Sequence, residues 1–428
     1  MSLALNVYRS LSWALTPLVR LYFLERLRRG KEDSLRSQER WGYSNLKRDM
    51  TRPLIWVHAV SVGEAASTLP LLKALHEECP QAQLLLTTGT VTSAKVMEGR
   101  LPDCVMHQYA PLDLPQVVTR FLEVWEPDLS IGVESELWPN TLTLTQERGI
   151  PTLILNAKLS KRSYQRWKML PSLISPMLEK MALVGAQTIE DQQRFQDLGA
   201  PFVEVMPNLK LLGEPLLYEE KALQKLETEI QGRPHWCAAN IHPGEDEVMI
   251  TAHKKLKDTY PQLLTILVPR HPERASEMRV RAEGEGFRCA QRSLGEKLMP
   301  ETDIYLADTF GEMGLFYKLS NLSFVGATLI SKGGHNPLEA AQLGSYVIHG
   351  PHTFSNPALF QFLKNEGCAE EIQNVEELVS TILKKNLETK NAQIDEKLIQ
   401  ERKSGLAALK LLLSPHLSPT RGRYAESA

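Results

Sequence analysis

The chain has 428 residues, of which 43% are hydrophobic and 23% charged, enough for two or three domains with full cores. A formal net charge of −2 excludes a bulk polycation and gives no reason to expect a nucleic-acid partner. Cys79, Cys104, Cys237, Cys289 and Cys368 lie far apart, with no pair at metal-ligand spacing, as expected of reduced thiols in a cytoplasmic protein.

Residues 1–45 form a first region. Leu3 to Leu24 is apolar and aromatic, but Arg9, Pro17 and Arg20 interrupt it, so a membrane span is marginal. No small-residue cleavage site follows, which argues against a secretory signal. Aromatics interleaved with arginines, then Arg26, Arg28, Arg29 and Lys31, are expected of a helix lying in or anchored to an anionic leaflet. The alternative is a helix packed on the domain behind it.

From residue 46 to 211, short apolar runs alternate with helical patterns. Leu54 to Val60 reads as a buried strand, Ser61-Val62-Gly63-Glu64 as a turn, and Ala65 to Glu78 as a helix. Further strands are expected at 84–88, 129–133, 152–156 and 182–185. Such alternation implies a parallel sheet with helices on both faces. Residues 212–234, with Pro215, Gly232 and Pro234, read as a linker, and the alternation restarts over 235–385. Residues 386–428 complete a closing helix and end in a Ser/Pro/Arg-rich tail. The expected architecture is α/β, with two doubly wound Rossmann-like domains facing a cleft, and ligands beyond the carboxyl ends of the strands. Neither half has GxGxxG after its first strand, and GxxxxGK[ST] is absent from the chain, against a dinucleotide oxidoreductase or a P-loop NTPase. No cofactor and no metal site are expected.

Six loops at strand ends carry the chemistry. Glu64 follows the first strand at a helix start, where the dipole keeps a carboxylate ionised and able to accept a proton. His58, inside that strand, is the rival base. Glu134-Ser135-Glu136-Leu137-Trp138-Pro139-Asn140 suits hydroxyl recognition, and Asn208-Leu209-Lys210, ahead of the linker, is expected to face the cleft. In the second half, Pro269-Arg270 leads into a helix and can grip a phosphate. Gly311-Glu312-Met313 opens another helix with room for a flat base, and Ala239-Asn240-Ile241-His242-Pro243-Gly244-Glu245 makes a further such loop. Gly333-Gly334-His335-Asn336-Pro337-Leu338-Glu339 pairs glycines with a helix start, which is read as close backbone approach to an anionic ligand, with Glu339 on sugar hydroxyls. Phosphate and sugar loops in the second domain imply a nucleotide donor, and a base in the first implies an acceptor.

These loops, together with Glu39-Arg40-Trp41-Gly42, resemble the bacterial 3-deoxy-D-manno-octulosonic acid (Kdo) transferases of lipopolysaccharide assembly. The resemblance runs from the N-terminal apolar segment to about residue 370. It implies a GT-B fold and inverting, metal-independent transfer of Kdo from CMP-β-Kdo to a lipid A precursor (lipid IVA). The location implied is the cytoplasmic face of the inner membrane. By motif, Glu64 would be the general base, and Glu134 and Lys210 would assist the transition state. Pro269, Arg270, Gly311, Glu312, Met313, Asn336, Pro337, Leu338 and Glu339 would bind CMP. The sequence departs from the family pattern at Leu211-Leu212, Ala340 and Asn240-Ile241. A related GT-B transferase using another nucleotide sugar, such as a UDP-linked one, and a non-catalytic sugar-nucleotide-binding protein at the membrane remain the alternatives.

Overall fold

The structure, a computed structural model, describes residues 2–135, 137–387 and 392–422. It divides into two compact units, residues 1–213 with 402–428, and residues 214–401.

The first unit carries β1 (Leu54–Ala59), β2 (Gln83–Thr88), β3 (Val105–Tyr109), β4 (Leu129–Val133), β5 (Thr152–Ala157), β6 (Leu183–Ala186) and β7 (Val203–Val205). They form one parallel sheet in the order β3-β2-β1-β4-β5-β6-β7. Alternation within β1 assigns its two faces to different cores. Ile55 and Val57 pack with Leu71, Leu72 and Leu75 of the helix Val62–Glu78 and with Leu409, Leu413 and Leu417 near the C-terminus. Leu54 and Trp56 pack instead with Phe121 and Trp125. A strand buried on both faces reads as a continuous apolar run, and for that reason β1 is legible in the sequence.

The second unit carries β8 (His235–Ile241), β9 (Leu264–Pro269), β10 (Cys289–Gln291), β11 (Ile304–Leu306), β12 (Leu322–Val325), β13 (Tyr346–His349) and β14 (Ala369–Glu371). Their order is β10-β11-β9-β8-β12-β13-β14, again all parallel. In each sheet the first strand is central and the order reverses beside it, between β1 and β4 and between β8 and β12. These are the switch points at which loops diverge and leave room for ligands.

Three expectations about the edges change. The linker region 212–234 contains the helix Glu220–Ile230, whose Leu223, Leu226 and Ile230 are buried, and from Glu214 onward it belongs to the second unit. The closing helix is two helices, Val375–Lys385 and Ala392–Gly422, and residues from 402 onward join the first unit.

The N-terminal segment is likewise two helices, Leu3–Ala14 and Thr16–Arg28, with Pro17 in the first turn of the second. No described helix is long and apolar enough to cross a membrane. One side of the pair packs on the unit behind it. Leu5 joins a core with Leu142 and Ile174, and Phe23 meets Trp41 edge-on at 5.6 Å. Arg9 pairs with Glu147 at 3.1 Å, and Tyr8 donates to Asp113 at 3.1 Å. The other side leaves Leu3, Leu11, Trp13, Leu18, Leu21 and Tyr22 exposed. Two of the arginines expected to face lipid are partly engaged, Arg26 with Glu32 at 2.6 Å and Arg29 with Glu25 at 2.7 Å.

Candidate active site

Glu64 lies just beyond the carboxyl end of β1, at the third position of the helix Val62–Glu78. Ser61 and Glu64 form a capping box. The Ser61 hydroxyl accepts from Glu64 N, and the Glu64 carboxylate accepts from Val60 N (2.8 Å), Ser61 N (3.3 Å) and Ser61 Oγ (2.9 Å). Glu64 is therefore also a structural residue. Its half-buried carboxylate has roughly four lone-pair sites, and these donors use three. The remaining site on Oε1 is available to a hydroxyl proton. The rival, His58, does not fit the role of base. It is buried, its Nδ1 lies 2.9 Å from Thr87 Oγ1, and burial together with the Arg40 charge pushes its pKa down to about 4.

Beyond β4, Glu134 adopts φ 63°, a left-handed conformation that costs a non-glycine residue of order 1–3 kcal/mol. That turn points the side chain toward Lys210, and the two pair at 3.3 Å. Glu134 N donates to Leu155 O (3.0 Å), which fixes the loop to β5. Lys210 is the second residue of the 3-10 turn Leu209–Leu212, capped by Asn208, whose side chain accepts from Lys210 N at 3.0 Å. The structure thus pairs Glu134 with Lys210, a contact that the sequence did not foretell, and adds a third member that spacing did not reveal. Lys158, after β5, lies within the same electrostatic cluster. Its ammonium is pushed below the ordinary lysine range by burial, opposed by Glu134 and reinforced by Lys210. Glu136 lies outside the described residues.

In the second unit the loops after β8, β9 and β12 assemble a basic cluster. His242 and His335 lie edge to edge in nearly one plane, with ring centres 5.2 Å apart, planes 8° apart and Nε2 atoms 3.0 Å apart. Lys332 Nζ lies 3.2 Å from His242 Nδ1. Burial comes first, then neighbouring cations, among them Arg270 and Lys332, in lowering both histidines to about 4, so both rings are neutral near pH 7. A lysine can only donate. His242 Nδ1 therefore accepts, its Nε2–H donates to His335 Nε2, and the proton of His335 sits on Nδ1. Neutral imidazoles among Arg270, Arg274 and Lys332 form a surface suited to a phosphate. Arg270 is exposed beside them, its backbone N–H bonded to Ile241 O at 3.0 Å. His242 stands in the loop Ala239 to Glu245 that the sequence marks, whereas Lys332, beside the glycine pair, was not foreseen.

The helix-dipole part of the expectation needs correction at one of the two loops. The helix after Asn336 and Pro337 is only Leu338–Ala341 and carries little dipole, whereas after Arg270 a 3-10 turn at Pro272–Arg274 runs directly into the helix Ala275–Gly284. The glycine pair has another cause as well. Gly333 (φ 95°) and Gly334 (φ 78°) pack against the protein itself. A Cβ on Gly333 would meet Ser355 Oγ and lie 2.6 Å from Phe354 Cε2, and one on Gly334 would lie 2.9 Å from Thr328 Cγ2. The pair shapes the loop that carries His335 and Asn336, whose Oδ1 accepts from Leu338 N at 3.2 Å. Glu339 is half-buried near the Tyr317 hydroxyl, which its charge, after burial, pushes up.

Gly311 has φ 82° with open space around it, as a turn that needs glycine for its backbone alone. Glu312 is paired with Arg292, Nε to Oε2 at 2.6 Å, and Arg292 also reaches Tyr305 Oη at 3.1 Å. That pairing holds the Glu312 carboxyl below its usual range and anchors Gly311 to Met313. Among the described residues no three His, Cys, Asp or Glu side chains are grouped to hold a metal.

Residues 35–212 match the model of the family described as 3-deoxy-D-manno-octulosonic-acid transferase (kdotransferase). A 3-deoxy-D-manno-octulosonic acid transferase of Haemophilus influenzae is 34% identical over 85% of this chain and 87% of its own length. One from Rickettsia bellii is 32% identical over 88% of this chain and 90% of its own. In fold, the chain is similar to a UDP-GlcNAc 2-epimerase from Neisseria meningitidis, with a TM-score of 0.57 at 12% identity, covering 85% of this chain and 99% of that one. Matched over most of its length to these relatives, the chain belongs to the 3-deoxy-D-manno-octulosonic acid transferase family.

Proposed function

We propose that this transferase moves Kdo from CMP-β-Kdo to a hydroxyl of a lipid A precursor (lipid IVA), with inversion, at the cytoplasmic face of the inner membrane. The carrying observation is Glu64, a carboxylate at the switch point of the first sheet with one lone-pair site left for an incoming proton. The acceptor oxygen bonds to the anomeric carbon as the bond from that carbon to the phosphate oxygen breaks. Its proton passes to Glu64, and CMP leaves with the bonding electrons. Lys210, held by Glu134, supplies positive charge beside the reacting sugar. The basic cluster around Arg270, Lys332, His242 and His335 takes the CMP phosphate, Glu339 bonds the ribose, and Gly311 to Met313 lie against the base.

The N-terminal helices support membrane association. Their exposed side chains, Leu3, Leu11, Trp13, Leu18, Leu21 and Tyr22, are large and apolar, and they sit on elements whose opposite side is packed on the catalytic unit. Mass spectrometry of the product formed from CMP-Kdo and a lipid A precursor tests the reaction. The expected result is acceptor mass plus Kdo, with CMP released. Co-sedimentation with anionic vesicles tests the surface, and a Trp13→Glu, Leu18→Glu variant is expected to lose binding while retaining CMP affinity.

A further inference from the structure

A cavity of about 150 Å³ opens in the first unit beside the Glu64 loop, lined by Arg40, Trp56, His58, Asp113, Trp138 and Thr141, among others. Val60 is part of its wall, and Val60 N is the 2.8 Å donor to Glu64, so the cavity is one residue from the proposed base. Arg40 is its cation. The short helix Ser37–Trp41 delivers it, fixed by Leu112 N donating to Arg40 O at 2.9 Å. The Arg40 side chain is only 14% exposed, and its Nε makes no hydrogen bond. Its nearest carboxylate, Glu32, stands 3.6 Å away and is engaged more closely by Arg26 at 2.6 Å. One carboxylate is thus shared between two guanidinium groups, and Arg40 is left under-compensated in a concave site.

Of the remaining polar lining, the Ala110 carbonyl accepts from Arg40 Nη1 but brings no charge, and Arg40 Nε stays without a hydrogen bond. Asp113 is saturated by Thr141 N and Oγ1 (both 2.7 Å), Tyr8 Oη (3.1 Å) and Asn140 N (3.2 Å). His58 is neutral, with a pKa of about 4 set by burial and by Arg40 itself. Trp138, 43% exposed, lines the same cavity. A buried guanidinium lacking a full complement of acceptors calls for an oxyanion, and the tryptophan offers a flat apolar wall to the sugar that carries it.

We infer that this cavity is an acceptor subsite, in which Arg40 binds a phosphate on the acceptor sugar and so sets the reacting hydroxyl beside Glu64. The inference rests on the proposed transfer to a phosphorylated lipid. The test measures transfer by the full chain to detergent-dispersed acceptor with and without its sugar phosphates. Removing the phosphates should raise the wild-type KM by at least about tenfold. Arg40→Gln should raise KM for the phosphorylated acceptor by a similar factor and leave the dephosphorylated one nearly unchanged, and Arg40→Lys should recover part of the loss. Equal losses on both acceptors, or none on the phosphorylated one, would overturn the assignment.

Should Arg40→Gln fail to fold, competition on the wild-type protein decides instead. Glucosamine phosphate should compete with acceptor where glucosamine does not, and competition by both or by neither overturns the inference. Inhibition by inorganic phosphate, with no effect of acceptor dephosphorylation, would assign the cavity to free phosphate and also overturn it. Transfer to both acceptors with equal KM sinks the cavity assignment alone, whereas no transfer to either sinks the functional reading.

Discussion

Glu64 and Glu245 occupy corresponding places in the two units, each just after the central first strand and in the first turn of the following helix. Their environments are opposite. Glu245 is fully buried and accepts four backbone N–H groups, from His242 (3.1 Å), Ala327 (2.8 Å), Thr328 (3.1 Å) and Leu329 (3.1 Å). Its carboxylate is saturated and ties the β8 loop to the β12 loop across the switch point. Glu64 is half-buried, takes three donors from its own turn, and keeps one acceptor site. The same topological position serves as a structural tie in one unit and as a candidate base in the other. The number of donors reaching the carboxylate makes the difference.

That contrast predicts opposite phenotypes. Glu64→Gln should cut turnover by roughly 10²–10⁴-fold with CMP affinity and melting temperature near wild type, because an amide cannot take the proton. Steady-state rates and thermal shift on one preparation check both halves. A variant keeping more than a tenth of the rate would move the base elsewhere. Glu245→Ala should do the reverse, orphaning four buried N–H groups and lowering stability by about 3 kcal/mol or more, as seen in denaturant titration. A stable Glu245→Ala protein would mean that the tie is dispensable.

Acid sharpens the comparison in both units. His58 and His107 in the first, and His242, His253 and His335 in the second, are held at about 4, mainly by burial, against 6.5 when unfolded. Between those values the unfolded chain binds more protons. Their contribution to stability is therefore complete above pH 6.5 and is lost progressively as pH falls toward 4. The melting temperature should drop steadily over that window, and a flat profile would refute the neutral, buried state of these rings. Arg270→Ala should weaken CMP binding by about 1.5–3 kcal/mol in calorimetry, with Glu339→Ala acting on the same ligand. Unchanged affinity in both variants would remove the nucleotide from the second unit. Gly333→Ala should destabilise by about 1–3 kcal/mol, because the new methyl group meets Ser355 and Phe354 at a φ of 95°. A neutral outcome would return the glycine pair to a purely ligand-facing role.

Parallel strands buried on both faces were legible as apolar runs, and the loops at their carboxyl ends were legible as the place for chemistry. Glu64, Glu134 and Arg270 could be singled out because each follows such a run within a few residues, and His335 because a glycine pair precedes it. Lys158 and Lys332 could not, since an isolated lysine beside a strand end looks like any solvated surface charge until the neighbouring strand is placed.

The sequence alone determined the element types, the parallel α/β class and the loops that carry function, because burial period and turn chemistry are local properties of the chain. Only the tertiary structure decided which loops meet. It made Glu245 a four-donor tie, set Lys332 against His242, put the under-compensated Arg40 beside the Glu64 loop, and gave the glycine pair its packing partners. Donor counts, charge compensation and steric fit depend on residues tens of positions apart, and no periodicity along the chain records them.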